Sequence, residues 1–119
     1  MRTIEFRATT KSGKWVYGYL SRCDGEFIID DDDGFGVFIN RKTIGEYTNR
    51  RDRNSKKIYE GDILKCRLND GSYENYAVEW DYDSCGFVAY NKDKSNFMDC
   101  SIWDEFEIMG NIHENPKLL

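Results

Sequence analysis

Apolar positions recur in short alternating runs, broken every few residues by Gly, Asp, Asn or Ser. Ile4, Phe6 and Ala8 alternate with Glu5 and Arg7, the pattern of a half-buried strand. After the turn Lys11-Ser12-Gly13-Lys14, Trp15 to Leu20 reads as a second strand with Trp15, Tyr17 and Tyr19 on one face. A turn at Cys23-Asp24-Gly25 leads into Phe27-Ile28-Ile29. Gly36 to Ile39 then resumes the apolar pattern, so the aspartates between fall at a hairpin tip. In Ile63 to Asn69, Leu64, Cys66 and Leu68 share one face and Ile63, Lys65 and Arg67 the other. Asp70-Gly71 is expected to supply the positive φ angles of a tight two-residue turn. The return strand runs to Trp80, with Tyr76, Val78 and Trp80 on its apolar face. Turns at Asp81–Ser84 and Lys92–Asn96 bracket Gly86 to Tyr90. Ser101 is placed to cap one short helical turn, and Phe106 to Ile112 forms a last strand that Pro116 stops. Turns this closely spaced leave no room for long 3.6-period runs. The chain is therefore expected to be mainly β, with antiparallel strands and at most one or two short helical turns.

Composition sharpens this. The 119 residues fit one domain, and 15% aromatic content excludes a disordered segment. No apolar run is long enough for a transmembrane helix. Met1 to Phe6 lacks the apolar core of a signal peptide, so a cytoplasmic location and reduced thiols are expected. Cys23, Cys66, Cys85 and Cys100 then read as small buried hydrophobes.

The net charge of −5 argues against broad adhesion to nucleic acid or anionic membrane, but the charge is unevenly spread. Residues 24–33 hold Asp24, Glu26, Asp30, Asp31, Asp32 and Asp33 with no cation. Residues 41–57 hold Arg41, Lys42, Arg50, Arg51, Arg53, Lys56 and Lys57 against only Glu46 and Asp52. The second segment, with Tyr59 beside it, is a candidate interaction surface. Asp30 to Asp33 are a candidate acidic contact.

Tests for chemistry eliminate most classes. An EF-hand loop needs oxygen ligands at positions 1, 3 and 5, Gly at 6 and Glu at 12. Setting Gly34 at position 6 puts Ile29 at 1 and Asn40 at 12; setting Gly36 there puts Phe35 at 5. Both registers fail. The cysteines form no C-x-x-C pair and His113 has no second ligand at local spacing, which argues against structural zinc. His113 is also the sole histidine available as a base for a nucleophile, and it sits at a strand end. Neither G-x-G-x-x-G nor a P-loop occurs. No catalytic residue, cofactor site or metal site is assigned, and a non-enzymatic protein is expected.

The most informative segment runs from Tyr47 to Leu64: a polar basic loop, the aromatic Tyr59, the turn Glu60-Gly61-Asp62, and then the strong hairpin strand. Such an arrangement recurs in small SH3-like barrels. Glu46-Tyr47-Thr48, Asp52, Asn54 and Ile58-Tyr59-Glu60-Gly61-Asp62-Ile63 resemble the signature of the YopX family, small proteins of phages and prophages of Gram-positive bacteria. Similar elements are Ile4-Glu5-Phe6-Arg7-Ala8, Lys14-Trp15-Val16-Tyr17-Gly18, Val78-Glu79-Trp80, Ser84-Cys85-Gly86-Phe87 and Ile108-Met109-Gly110-Asn111-Ile112-His113-Glu114-Asn115-Pro116. Asn49 and Ser55 stand where the family usually has glycine, and His113 where it often has tyrosine. Asn tolerates a left-handed backbone; Ser is less suited to it.

The resemblance implies an SH3-like barrel with added strands: one domain over 1–119, its barrel core at 58–112 and N-terminal strands of 2–47 packed on it. It brings no catalytic residue or cofactor, and some relatives are thought to form rings. The expected role is a phage or prophage accessory protein that binds or self-assembles. The acidic 24–33 stretch of one copy would meet the basic 41–57 segment of another, and a phage or host protein is a further expected class of partner. The alternative is a nucleic-acid-binding module, with Arg41, Arg50, Arg51, Arg53, Lys56 and Lys57 on phosphates and Tyr47 or Tyr59 stacking on a base.

Overall fold

The computed structural model describes residues 1–31 and 33–119. The chain divides into two compact units, Met1–Tyr47 and Thr48–Leu119.

In the first unit, β1 (Phe6–Thr9), β2 (Trp15–Cys23), β3 (Glu26–Asp30), β4 (Gly36–Phe38) and the start of β5 (Gly45–Arg51) pair antiparallel in the order β4-β3-β2-β1-β5. The Asp-Gly hairpin signal acts at the β2–β3 turn, where Asp24 and Gly25 take φ of 52° and 82° and Cys23 faces Glu26. Both central residues of that turn need positive φ, which Asp tolerates and Gly adopts freely. Alternation sends Ala8, Ile29 and Ile39 inward, with Phe6, Val16, Leu20, Phe27 and Ile44 against them. Tyr17 and Tyr19 face solvent. Two expectations for β1 change: Ile4 is exposed, and Arg7 is buried with its guanidinium 4.7 Å from the Trp15 ring centre. A cation can share a buried surface when an aromatic face receives it. Gly18 permits the β2–β3 approach: at φ 155° any Cβ there would lie 2.0 Å from the Asp30 carbonyl oxygen.

The second unit holds the end of β5, β6 (Lys57–Tyr59), β7 (Asp62–Arg67), β8 (Tyr73–Asp81), β9 (Gly86–Tyr90), β10 (Phe97–Asp99) and β11 (Glu107–Asn111). A five-stranded sheet runs β10-β9-β8-β7-β11. Its core is Ile58, Leu64, Cys66, Tyr76, Val78, Ala89, Trp103 and Phe106. The expected inward residues Leu64, Cys66, Tyr76 and Val78 are buried, but Ile63 is buried too and Trp80 is exposed. Trp80 instead meets the edge of Phe87 at 5.2 Å, its cross-strand partner.

The β7–β8 turn is wider than expected. Leu68 donates to the Ser72 carbonyl and Gly71 to the Leu68 carbonyl, and only Gly71 takes positive φ (87°). Asn69-Asp70-Gly71 is thus a three-residue loop ending in a left-handed glycine. Before β11, Cys100–Glu105 forms a 3-10 turn, capped by Asp99 rather than Ser101: the Asp99 carboxylate accepts from the Ser101 amide at 2.8 Å. A carboxylate one step before the turn is better placed for its free amides.

The chain is mainly β and antiparallel. No ladder among the described residues joins β10 to β11, so the closure of an SH3-like barrel is absent from the hydrogen-bonded sheet. Among the described residues no helix is long and apolar enough to cross a membrane.

Candidate functional site

The basic segment is built around one buried acid. At the β5–β6 turn, Asp52 faces inward, 4% exposed. Its Oδ1 accepts from the amides of Asn54 and Lys56, each at 2.9 Å, and its Oδ2 accepts from the Ile108 amide at 3.1 Å. Three backbone donors hold one carboxylate, which fixes the turn and ties it to β11. The Arg53 amide adds a bond to the Phe106 carbonyl at 2.8 Å, and Arg51 Nη1 reaches the Ser55 carbonyl at 2.8 Å.

With Asp52 turned in, the cations are left on the outside. Arg50, Arg51, Arg53 and Lys56 are exposed and Lys57 is half-buried. Arg41 and Lys42 belong to the other unit, in the 3-10 turn Arg41–Thr43 that Asn40 caps. The seven cations of residues 41–57 are therefore divided between two units.

Tyr47 and Tyr59 are both buried, so neither ring is available to stack on a base. Tyr59 anchors the turn instead: its amide donates to Asp62 Oδ2 at 2.8 Å. Gly61, at φ 91°, donates to the Val78 carbonyl and accepts from the Ile112 amide, each at 2.8 Å. A left-handed residue that links two neighbouring strands suits glycine. Asn111 works similarly at the C-terminal turn, its Oδ1 accepting from the amides of His113 and Glu114 and its Nδ2 donating to Glu114 Oε1 at 3.0 Å. The signature residues Asp52, Tyr59, Gly61, Asp62 and Asn111 thus hold backbone in place.

The exposed aromatic beside cations is Tyr73, which sequence reasoning missed. Arg53, Lys65, Arg67, Tyr73, Glu105, Phe106 and Glu107 line a groove of about 530 Å³. Lys65 Nζ stands 4.7 Å from the Tyr73 ring centre. Strand period was the available signal, since Lys65 and Arg67 alternate with buried Leu64 and Cys66 and so share the outer face.

The acidic stretch sits at the β3–β4 tip. Asp31 Oδ1 accepts from the amides of Asp33 and Phe35, each at 3.0 Å, and the half-buried Asp30 receives the Ser21 hydroxyl at 3.4 Å. Asp32 lies outside the described residues. Among the described residues no three of His, Cys, Asp and Glu gather in a metal-binding arrangement.

The sequence model described as YopX protein matches residues 5–119. No curated protein matches the chain. Among solved structures, protein EF1440 from Enterococcus faecalis is similar, with a TM-score of 0.65 and 22% identity over 100% of this chain and 99% of that one. That likeness concerns the fold.

Proposed function

The chain belongs to the YopX family, and from that premise we propose that it works by binding rather than catalysis, its β5–β6 hairpin taking an acidic protein face. The observation that carries this reading is the division of charge at the turn. Asp52 is spent on three backbone amides inside, while Arg50, Arg51, Arg53 and Lys56 stand in solvent. Cations grouped on a braced hairpin steer an anionic partner and hold it with little loss of backbone freedom. The partner we favour is a second copy, through its 24–33 stretch. A heterologous contact of that kind builds rings when its rotation closes. A phage or prophage accessory role in the bacterial cytoplasm is part of this reading, as is an SH3-like character for the second unit. Strands β7 to β10, the 3-10 turn after them and the last strand, β11, paired back to β7, support that character.

Light scattering at low and high salt tests the reading. Association that weakens with salt, and is lost in Arg50→Glu/Arg51→Glu/Arg53→Glu, supports it; a monomer under every condition removes it.

The groove supports a second reading, nucleic-acid binding. Arg53, Lys65 and Arg67 converge beside the exposed Tyr73 ring, a pairing of cations and a stacking platform. Glu105 and Glu107 on the same groove oppose it. Titration with single-stranded DNA at modest salt separates the two, because Tyr73→Ala weakens binding only if a base stacks there.

A further inference from the structure

The sheet of the first unit curls until the ends of its first and fourth strands meet. Strand β2 pairs with β1 over residues 15–18 and with β3 over residues 19–23. Past β4, Ile39 bridges antiparallel to Thr10, and the Asn40 amide donates to the Thr9 carbonyl at 2.8 Å. That junction and the β2–β3 turn at Gly25 frame a cavity of about 560 Å³. Its apolar wall is Phe27 and Ile39; Ile39 is 8% exposed and belongs to the unit's core. Lys11, Asn40 and Arg41 line it as well, all three exposed, and Glu26 is the acid on it.

The donors of that cavity are available. The Arg41 guanidinium lies 5.5 Å from the Phe27 ring centre, and that of Arg22 lies 5.1 Å from it. An aromatic face attracts a guanidinium without using up its N–H donors. Among the described residues neither Lys11 nor Arg41 is in an ion pair, so Glu26 leaves both charges uncompensated. Asn40 Oδ1 is taken by the Lys42 amide at 3.1 Å, and its Nδ2 is a further donor.

We propose that this cavity binds a small carboxylate with an apolar body. The carboxylate faces Arg41 and Lys11, and the apolar part lies against Phe27 and Ile39. Small-molecule sites have this make-up, a concave apolar wall with a few polar groups that fix orientation. Glu26 disfavours a doubly charged phosphate, and an alcohol offers the two cations no counter-charge. A free aliphatic acid and the C-terminus of a peptide ending in an apolar residue share this chemistry. The proposal gives Arg41 a task apart from the β5–β6 hairpin and does not rest on the hairpin reading.

Amide chemical shifts of the isotope-labelled full chain, titrated with sodium hexanoate, test it. Hexanoate should move the amides of Gly25, Phe27, Asn40 and Arg41 saturably at millimolar concentration. Hexanol and inorganic phosphate should move them far less. Arg41→Ala and Lys11→Ala should each weaken hexanoate about tenfold, the scale of one charge-assisted hydrogen bond. Both side chains are exposed, so the variants' spectra should otherwise match wild type. Glu26→Gln should tighten binding, which a purely structural role for Glu26 would not do, and it decides the matter should a cation variant fail to fold. An acetylated peptide ending in leucine separates the two sources. Binding tighter than hexanoate, and lost when the peptide's carboxylate is an amide, assigns the cavity to a peptide end; weaker or equal binding assigns it to a free acid. No saturable shift at tens of millimolar hexanoate, equal shifts with hexanol or phosphate, or an Arg41→Ala variant that binds like wild type overturns the proposal. Arg50→Glu/Arg51→Glu/Arg53→Glu should bind hexanoate as the wild type does, so this cavity and the hairpin reading fail separately.

Discussion

The carboxylate of Asp52 and the amide of Ile108, 56 positions apart in sequence, meet at 3.1 Å. With the two amides on its other oxygen, Asp52 couples a tight turn to a distant strand. Asp52→Ala leaves three backbone donors without that acceptor in a site water barely reaches. The expected loss is about 3 kcal/mol, since each stranded buried donor costs on the order of 1 kcal/mol or more. In thermal unfolding this is a fall of roughly 10 °C. Asp52→Asn keeps one carbonyl oxygen and should lose about half as much. An Asp52→Ala midpoint within error of wild type would show that the bonds contribute nothing.

Ser55 closes the same turn at φ 63°, and Asn49 in β5 takes the same angle. A left-handed backbone costs an L-residue roughly 1–2 kcal/mol. Glycine avoids that cost but gives back part of it through its freer unfolded chain. Ser55→Gly should therefore stabilise the protein by about 0.5 kcal/mol, read as a higher urea midpoint. Asn49→Gly should change little, because Asn tolerates this region. A loss of stability in Ser55→Gly would contradict the strain account.

Where local chemistry decides, the sequence was readable. The turns at Gly13, Asp24-Gly25 and Asp81–Ser84 and the inward Leu64, Cys66, Tyr76 and Val78 follow from period and turn residues. The positive φ of Asn49 and Ser55 was flagged by their standing at glycine positions. What escaped depends on partners far away in the chain. Arg7 alternates as an outward residue yet is buried against Trp15, and strand β10, only Phe97–Asp99, exists because β9 pairs with it. The site followed the same rule. The cations could be counted along the sequence, but the inward turn of Asp52 needed Ile108, and the Tyr73 groove needed four separate segments to converge.

Three loops repeat one device, an aspartate that accepts from both the amide and the hydroxyl of a following serine: Asp70 with Ser72, Asp81 with Ser84, and Asp93 with Ser95. These bonds favour the charged form and hold each carboxyl below its ordinary value of 3.8. A depressed folded pKa gives stability that is present above 3.8 and lost as pH falls through the lower folded value. Urea midpoints should thus decline steadily between about pH 5 and pH 2. Replacing Ser72, Ser84 and Ser95 by Ala should flatten that decline. A triple variant with the wild-type acid profile would show that the loops do not contribute to it.

Burial acts in the opposite direction on Cys66. Its thiol is enclosed in the second unit's core and faces Glu74 across the strand pair, which raises it from 9.0 to about 12. Tyr76 beside it is raised from 10.0 to about 12, first by burial and then by hydrogen bonding to Glu74. Raised folded values give stability that is complete below the ordinary pKa and lost as pH climbs toward 12. Alkaline unfolding should therefore begin above about pH 9. Since the thiolate is the reacting species, a disulfide-exchange reagent at neutral pH should label exposed Cys23 and Cys85 first and half-buried Cys100 more slowly. Cys66 should react only on unfolding, so its labelling rate should track urea concentration and give the stability of the second unit. Labelling of Cys66 in the native protein as fast as Cys23 would mean that the core opens without unfolding.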